Sequence, residues 1–294
     1  MKISIVVPAF NEAVNIPYLI EAFDEFFKKH KQYEIVFVDD GSEDGTATIL
    51  EENERPYLRL VRHKRNFGKT QAILSGAKHA QGEIIVVFDA DLQYDPDDIP
   101  KLIDLIKAGA DIATGWKQGK YEKKFVSNIY NTWARKLFGL RVHDMNSIKA
   151  FKKEVLDEIA LRKDWHRFIV PLAHDAGFKI SETKVTLRPR RFGKAKYQKK
   201  SRILIGIFDL LAVKFQLTFM KKPLLYFGTI GLLCIVCGIL VGLTSIVLRF
   251  FGYGFRPLLY LVILLIISGI LFFSLALIGE SIRAILDRLE KREP

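Results

Sequence analysis

The chain has little cysteine, and it lacks charge in two long stretches near its C-terminus. Only Cys234 and Cys237 occur among its 294 residues, so a disulfide framework and a multi-cysteine metal site are excluded. No charged residue occurs from 224 to 248 or from 257 to 279. Each stretch is long enough to cross a hydrocarbon core of about 30 Å as a helix. We therefore expect a membrane protein with a large soluble N-terminal part.

A secretory leader is not expected either, because the first apolar run stops at Ala9, before Asn11 and Glu12, with no cleavage pattern. The N-terminal part is therefore expected to stay in the cytosol. Between residues 184 and 222 there are twelve Lys or Arg and one acid. The connection 249–256 holds only two arginines, so the positive-inside rule predicts that both termini are cytoplasmic.

Two glycine-rich nucleotide-binding patterns are absent. Gly68-Lys69-Thr70 resembles the end of a P-loop, but that motif requires glycine where the chain has His63. No G-x-G-x-x-G follows the first apolar run. Neither a P-loop NTPase nor a Rossmann dehydrogenase is supported.

The first 115 residues alternate strand and helix patterns. Apolar runs typical of strands occupy about 3–9, 34–38, 58–61, 83–88 and 110–114. Nearly continuous apolar strands separated by helices predict an α/β domain with a parallel sheet covered on both faces. Ligands bind such sheets beyond the carboxyl ends of the strands. Further on, we predict a helix over 120–139, strands over 148–151 and 179–187, and an amphipathic interfacial helix over 203–220.

Acidic residues follow three of these strands: Glu12, then Asp39 and Asp40, then Asp89 and Asp91. Acids in such places often cap the next helix. That explanation is weaker for the last two, because adjacent carboxylates leaving a buried strand repel each other unless a cation lies between them. The pattern indicates a cation site at this edge of the sheet.

Ordered motifs carry a family resemblance. VVPAFNE (6–12), VDDGS (38–42), NFGK (66–69) and DADLQ (89–93) resemble the family 2 glycosyltransferases of the GT-A fold. Later motifs resemble the polyprenyl-phosphate glycosyltransferases, including dolichol-phosphate mannose synthases and two-span undecaprenyl-phosphate glucosyltransferases. They are GWK (115–117), KKFVSNIYN (123–131), GLRVHDMNSIKAF (139–151), WHRFIVPLAHDAGFKISE (165–182) and RPRRFGKAKY (188–197). The resemblance covers essentially the whole chain.

The resemblance implies the site residues. The residues expected to bind the nucleotide sugar are Pro8, Ala9, Phe10, Glu12, Asp39, Asp40, Lys69, Asp89, Ala90 and Asp91. Asp89, Asp91 and Gln93 match the family's metal-binding positions. The residues that match its catalytic positions are Asp89, Asp91, Lys117 and Arg191. The acceptor phosphate is expected at Lys123, Lys124, Ser127, Arg167, Arg191 and Lys196, with His166 on the same side.

The implied activity is inverting, metal-dependent transfer of a hexose from GDP-mannose or UDP-glucose to polyprenyl or dolichyl phosphate. The implied cofactor is Mg²⁺ or Mn²⁺. The partners are the two substrates and membrane lipid, and relatives suggest a homo-oligomer. Nucleic-acid binding is not expected, because the basic residues flank a membrane span and no nucleic-acid signature occurs.

Two alternatives remain. A processive polysaccharide synthase usually has more spans and a Q-x-x-R-W motif, which the chain lacks. A catalytically inactive nucleotide-sugar-binding membrane module would not need the acidic pair, which is intact. We expect a catalytic domain over 1–200, with a nucleotide-binding half (1–115) and an acceptor half (116–200). Juxtamembrane helices over 201–222 and a transmembrane hairpin with a cytosolic tail over 223–294 should follow.

Overall fold

The computed structural model of the protein describes residues 2–119, 124–190, 201–254 and 256–290. The chain forms two compact units, Met1–Lys200 and Ser201–Pro294. The strands of the first unit are β1 (Ile3–Ala9), β2 (Tyr33–Asp39), β3 (Leu58–Arg62), β4 (Ile84–Val87), β5 (Ile112–Gln118), β6 (Lys149–Lys152) and β7 (Ile180–Thr186). Its helices are α1 (Ile16–Lys29), α2 (Thr46–Glu52), α3 (Lys69–His79), α4 (Ile99–Lys107), α5 (Lys124–Phe138), α6 (Glu154–Glu158) and α7 (Ile169–Asp175).

The seven strands form one sheet in the order β3-β2-β1-β4-β6-β5-β7. All neighbouring pairs are parallel except those of β6, which runs antiparallel to both β4 and β5. The predicted α/β class with a mainly parallel sheet is confirmed. The direction of β6 was not predicted, because a four-residue apolar run shows burial but not orientation.

Helices cover both faces of the sheet. On one face, α1 packs through Phe23, whose ring lies 5.3 Å from that of Phe88. On the other face, α3 approaches β1 so closely that a Cβ on Gly76 would lie 2.3 Å from Val6 Cγ1. A side chain at position 76 would therefore push the helix off the sheet. With both faces covered, ligands have access only at the ends of the strands.

The second unit is helical. It contains α8 (Ser201–Thr218), a π-helical turn (Leu224–Gly228), α9 (Thr229–Phe250) and α10 (Arg256–Glu290). The candidate membrane spans are Leu224–Phe250, with mean hydropathy 2.7, and Arg256–Leu289, with mean hydropathy 3.0. The two helices pack closely, because a Cβ added to Gly231 or to Gly269 would lie 2.8 Å from the other glycine's carbonyl oxygen. The pair indicates a membrane protein.

Candidate active site

The carboxyl ends of β1, β2 and β4 form the floor of the site. Ala9 pairs with Asp39 across β1 and β2, and the Phe88 N–H donates to the Val6 carbonyl (3.0 Å). Pro8, Ala9 and Phe10 therefore lie between the end of β2 and the segment Asp89–Ala90 that follows β4. The sheet brings together the predicted nucleotide-binding residues of three separate motifs.

Asp39 is fully buried and only partly satisfied. Its Oδ1 accepts a hydrogen bond from the Ser42 N–H (3.3 Å). Its Oδ2 has no hydrogen-bond partner among the described residues, although Arg62 Nε lies 3.9 Å away. A buried acceptor without a hydrogen bond costs free energy. Asp39 Oδ2 is therefore suited to accept a hydrogen bond from an N–H group of a ligand.

Asp40 also belongs to the predicted nucleotide set, but its carboxylate holds a loop. Its Oδ1 accepts from the Phe67 N–H (2.9 Å) and contacts His63 Nδ1 (2.7 Å). Its Oδ2 accepts from the Gly68 N–H (2.8 Å). These bonds fix the start of α3, and with it Lys69. The structure therefore indicates a positioning role for Asp40.

The loop after β1 is tied to the loop after β2. Asn11 has a φ of +51°, and its N–H donates to Ser42 Oγ (2.8 Å). The Glu12 N–H donates to Thr46 Oγ1 (2.9 Å), while its carboxylate accepts from Asn15 Nδ2 (2.6 Å). These contacts place Phe10 and Glu12 beside the end of β2, as a shared nucleotide pocket requires.

The acidic pair after β4 lies among cations. Asp89 Oδ1 is 2.5 Å from Lys69 Nζ, and Asp91 Oδ2 is 2.7 Å from Arg190. Burial alone would raise the pKa of Asp89, but Lys69 lowers it below the ordinary aspartate value. Burial and the charge of Asp89 raise the pKa of Asp91, against the opposing effect of Arg190. The second carboxylate is therefore incompletely compensated.

The backbone between the acidic residues and Gln93 is strained. Leu92 has a φ of +58°, a conformation that costs a bulky L-residue about 1–2 kcal/mol. Gln93 Nε2 donates to the Arg188 carbonyl (3.2 Å), and the Arg188 N–H donates back to the Gln93 carbonyl (2.8 Å). The segment after β7 thus holds the loop of the predicted metal residues in place.

Lys149 is a candidate site residue that the sequence prediction missed. It begins β6 and pairs with Val87 of β4, two residues before Asp89, and only 4% of it is exposed. Burial, reinforced by the charge of Lys69, lowers its pKa to about 8. A lysine within the apolar run IKAF was the available signal, since lysine is almost never buried without a reason.

Lys117 lies on the next strand and is held by the loop before β6. Its Nζ donates to the Asn146 carbonyl (2.8 Å) and lies 3.2 Å from Asp144 Oδ2. Its charge acts on Lys149, so the predicted catalytic lysine is near the buried one.

His166 and Arg167 lie in the part of the chain that was predicted to bind the acceptor. His166 N donates to Thr70 Oγ1 (3.1 Å), at the start of α3. Burial and the neighbouring Lys69 lower the pKa of His166 to about 2, so its imidazole is neutral at physiological pH. Arg167 Nε is buried without a hydrogen-bond partner among the described residues.

The other predicted acceptor residues are less well defined. Ser127 lies on α5, where its hydroxyl accepts from Asn131 Nδ2 (3.4 Å). Lys123, Arg191 and Lys196 lie outside the described residues, as does the side chain of Lys124. Their predicted contacts with phosphate remain predictions.

The donor set fits a hard divalent cation that shares its ligands with a substrate. No group of three or more His, Cys, Asp or Glu side chains within the described ranges is arranged to hold a metal ion. Asp89 and Asp91 nevertheless provide two partly buried carboxylates whose mutual repulsion a cation would relieve. Phosphate oxygens and water would have to complete the shell, as is usual for Mg²⁺.

A family model and named relatives match this chain. The family model "Glycosyl transferase family 2" matches residues 4–159. Dodecaprenyl-phosphate galacturonate synthase of Rhizobium johnstonii is 32% identical, over 96% of this chain and 88% of its own. Undecaprenyl-phosphate 4-deoxy-4-formamido-L-arabinose transferase of Proteus mirabilis is 29% identical, over 99% and 91%.

A solved structure has a similar fold. Glucosyl-3-phosphoglycerate synthase from Mycobacterium tuberculosis, in complex with Mn²⁺, uridine diphosphate and its product, matches with a TM-score of 0.57. The match covers 74% of this chain and 79% of that one, at 18% identity. The expected GT-A fold is confirmed.

Proposed function

Because the chain belongs to glycosyl transferase family 2, we propose that it transfers a sugar from a nucleotide-diphosphate donor to a polyprenyl phosphate. Both relatives described above are named for a prenyl phosphate, and each matches over nearly the whole chain. The observation that carries the proposal is the partly buried acidic pair Asp89 and Asp91 with Lys69, Lys149 and Arg190 around it. Such a mixed-charge site suits a diphosphate and its cation.

The donor is expected to enter over β1 and β2. The unsatisfied Oδ2 of Asp39 would accept a base N–H, which both uracil and guanine provide. Phe10, Glu12 and Lys69 would line the same pocket. UDP-glucose and GDP-mannose remain the donors of interest, and the galacturonate and formamido-arabinose of the relatives widen the set to be tested.

Asp89, Asp91 and Gln93 would hold Mg²⁺ or Mn²⁺. Mn²⁺ accompanies uridine diphosphate in the synthase of similar fold. When bound, the cation would neutralise the negative charge that develops on the departing diphosphate. Lys69 and Lys149 add fixed positive charge from the protein, and Lys117 and Arg191 are proposed to do the same where charge develops in the transition state.

The acceptor requires little activation. A phosphate monoester has a second pKa near 6, so it is already an anionic nucleophile at cytosolic pH and needs no general base. The protein must instead hold two anionic groups together. Arg167, whose Nε is unsatisfied, is proposed to bind the acceptor phosphate with Lys123, Lys124, Ser127, Arg191 and Lys196. Direct attack by a phosphate oxygen on the anomeric carbon then breaks the bond from that carbon to the diphosphate, releases the nucleoside diphosphate and inverts the configuration.

The C-terminal helices are proposed to anchor this reaction at the membrane. The acceptor phosphate lies at the level of the lipid headgroups. The basic region around 184–222 would attract an anionic leaflet by roughly 1 kcal/mol per basic residue near its surface. We propose a hairpin with both termini in the cytoplasm, with the domain boundaries expected from the sequence.

Radiolabel transfer tests the proposal. Purified full-length protein in detergent is incubated with Mg²⁺, a short polyprenyl phosphate and one donor at a time: UDP-glucose, GDP-mannose, UDP-galacturonate or UDP-N-acetylglucosamine. We expect transfer of a single sugar from one donor, abolished by EDTA and by Asp91→Asn. The matched control is Asp97→Asn, whose exposed side chain lies in the 3-10 turn Pro96–Asp98, and it should retain activity.

Each alternative has its own outcome in this assay. Nucleotide binding without turnover of any donor would favour the inactive binding module. Products with several sugars would favour a processive synthase. For a single-sugar product from an α-linked donor, the one-bond coupling between C1 and H1 should indicate a β-linkage, and an α-linkage would contradict direct displacement.

A further inference from the structure

His166 and Thr70 contact each other twice at the start of α3. The His166 N–H donates to Thr70 Oγ1 (3.1 Å), and the same oxygen lies 3.2 Å from Nδ1 of the imidazole. Only 2% of Thr70 is exposed, so its hydroxyl proton needs an acceptor inside the protein. We call these two residues the His166–Thr70 pair.

The Thr70 hydroxyl fixes the tautomer of His166. Among the described residues, its oxygen has hydrogen-bond contacts only with the His166 backbone N–H and with Nδ1. The backbone N–H is a donor, which leaves Nδ1 as the acceptor of the hydroxyl proton. A neutral imidazole carries one proton, so that proton lies on Nε2. His166 therefore presents Nε2 as an N–H donor.

The charges around the imidazole keep it neutral. Burial lowers the pKa of His166 to about 2, and the charges of Lys69, Lys149 and Arg167 act in the same direction. Asp89 opposes them. A proton added to the ring would place a fourth cation among three. His166 is thus a hydrogen-bond donor without charge, in a site whose other donors are lysine and arginine.

The His166–Thr70 pair lies on the donor side of the site. Thr70 directly follows Lys69, whose Nζ is 2.5 Å from Asp89 Oδ1. Lys69 and Asp89 both belong to the residues expected to bind the nucleotide sugar. Nε2 of His166 has no hydrogen-bond partner in the part of the chain that the structure describes. The residue is only partly buried, so this N–H can reach a ligand.

This N–H suits a sugar hydroxyl better than a phosphate. Phosphate oxygens carry charge and are bound most strongly by cationic donors, which Lys69, Lys149 and Arg167 already provide. A hydroxyl oxygen is uncharged and accepts a hydrogen bond from a neutral N–H. The hexose of a nucleotide sugar is bonded directly to the diphosphate, so it lies next to the groups that bind the diphosphate.

We propose that Nε2–H of His166 donates a hydrogen bond to a hydroxyl oxygen of the donor's sugar, and that Thr70 positions the ring for this contact. The inference rests on the proposed function, because it requires a nucleotide-sugar donor beside Lys69 and Asp89. It makes His166 a residue that helps to select the sugar. A sugar without the contacted hydroxyl would leave the N–H without an acceptor, which a binding site penalises.

A cycle of variants and donor analogues tests the contact. The radiolabel transfer assay is run on full-length protein with the transferred donor and with its monodeoxy analogues at each hydroxyl-bearing carbon. With the complete donor, His166→Leu should lose about tenfold in kcat/KM, the loss expected for one hydrogen bond. His166→Gln should retain more activity, because its amide N–H lies near the position of Nε2. The control, His79→Leu at an exposed position of α3, should be unchanged.

The analogues separate a sugar contact from a structural role. With one deoxy analogue, wild type and His166→Leu should be equally active, because the substitution and the missing hydroxyl remove the same hydrogen bond. The two proteins should also bind the nucleoside diphosphate alone with equal affinity. An equal loss with every donor, or weaker binding of the diphosphate, would overturn the proposal, since a structural role predicts both.

Substitutions of Thr70 give a second test that leaves the imidazole in place. Valine has the shape of threonine but no hydroxyl, so Thr70→Val should lose activity with the same dependence on the analogue, whereas Thr70→Ser should not. Full activity of Thr70→Val on the complete donor would contradict the positioning role. If the wild type transfers no sugar, the proposed function fails. The same cycle is then read from calorimetric affinities for the donor and its analogues, where equal losses for all of them would overturn the contact.

Discussion

Replacement of Lys149 by methionine should make the protein more stable and less active. The lysine is 96% buried by area, with 4% exposed, and its pKa is lowered to about 8 from the ordinary 10.5. The folded protein therefore keeps a positive charge at pH 7 in surroundings that oppose it. Methionine has similar length and no charge, so it removes this cost while filling the same space.

The magnitude follows from the pKa. A shift from 10.5 to about 8 corresponds to about 3 kcal/mol of unfavourable free energy at pH 7. The folded state binds the proton less tightly than the unfolded state, so this cost is present in full below pH 8. It is relieved as pH rises from about 8 to 10.5. For a domain of this size, about 3 kcal/mol corresponds to roughly 6–12 °C in melting midpoint.

Thermal unfolding and sugar transfer should be measured on the same preparations at pH 7. We expect Lys149→Met to unfold at a higher temperature and to lose at least tenfold in kcat, the loss expected if one fixed charge contributes about 1.4 kcal/mol to the transition state. Lys149→Arg should recover part of the activity. Lys78→Met, at an exposed position of α3, should change neither property.

Two outcomes would refute this reasoning. A lower midpoint would mean that the buried charge stabilises the fold. A higher midpoint with full activity would mean that the reaction does not use Lys149.

Three further predictions concern the pocket and the fold. Asp39→Asn should weaken nucleotide binding about tenfold by calorimetry, because a hydrogen bond to a charged acceptor contributes roughly 1.5 kcal/mol or more to the binding free energy. Unchanged affinity would mean that Asp39 does not contact the nucleotide. Gly41→Ala should lower the melting midpoint more than Gly109→Ala. Both glycines have a positive φ, but only a Cβ at position 41 would meet backbone, at 2.4 Å from the Arg65 carbonyl carbon. Equal effects of the two substitutions would contradict this explanation. Burial raises the pKa of Glu34, but hydrogen bonds from Ser4 Oγ and a backbone N–H outweigh it and lower the pKa below 4.5. The midpoint advantage of wild type over Glu34→Gln should therefore be present at pH 7 and shrink as pH falls below about 4.5, and a constant difference would contradict it.

The sequence predicted the features of the fold that local pattern determines. A buried strand cannot continue through Asp89, so the end of β4 and its acidic segment are visible as a change from apolar to charged residues. The direction of β6 is not visible, because strand pairing is set by contacts between distant residues. The importance of Lys149 depends on the same pairing, which brings it beside Val87.

The DD pair of the second motif shows a different limit. Both Asp39 and Asp40 were predicted to bind nucleotide, and neither contact has been tested. Successive residues of an extended strand point to opposite sides, so two adjacent carboxylates rarely serve one pocket. In the structure, one leaves an oxygen unsatisfied, whereas both oxygens of the other hold the loop before α3. The sequence predicts that the two side chains point to opposite sides of the strand. It does not show which of the two points toward the site.

Asp91 and Lys149 are the two groups whose charged forms are least compensated by the protein, and one ligand would compensate both. Asp91 has a raised pKa and Lys149 a lowered one, so the fold disfavours the charged form of both. Each would be relieved by a partner of opposite sign. A nucleotide diphosphate bound with its cation brings both signs together, whereas either ion alone would leave one of the two groups uncompensated. The site is therefore expected to bind metal and diphosphate cooperatively, with each increasing the affinity for the other by the same factor.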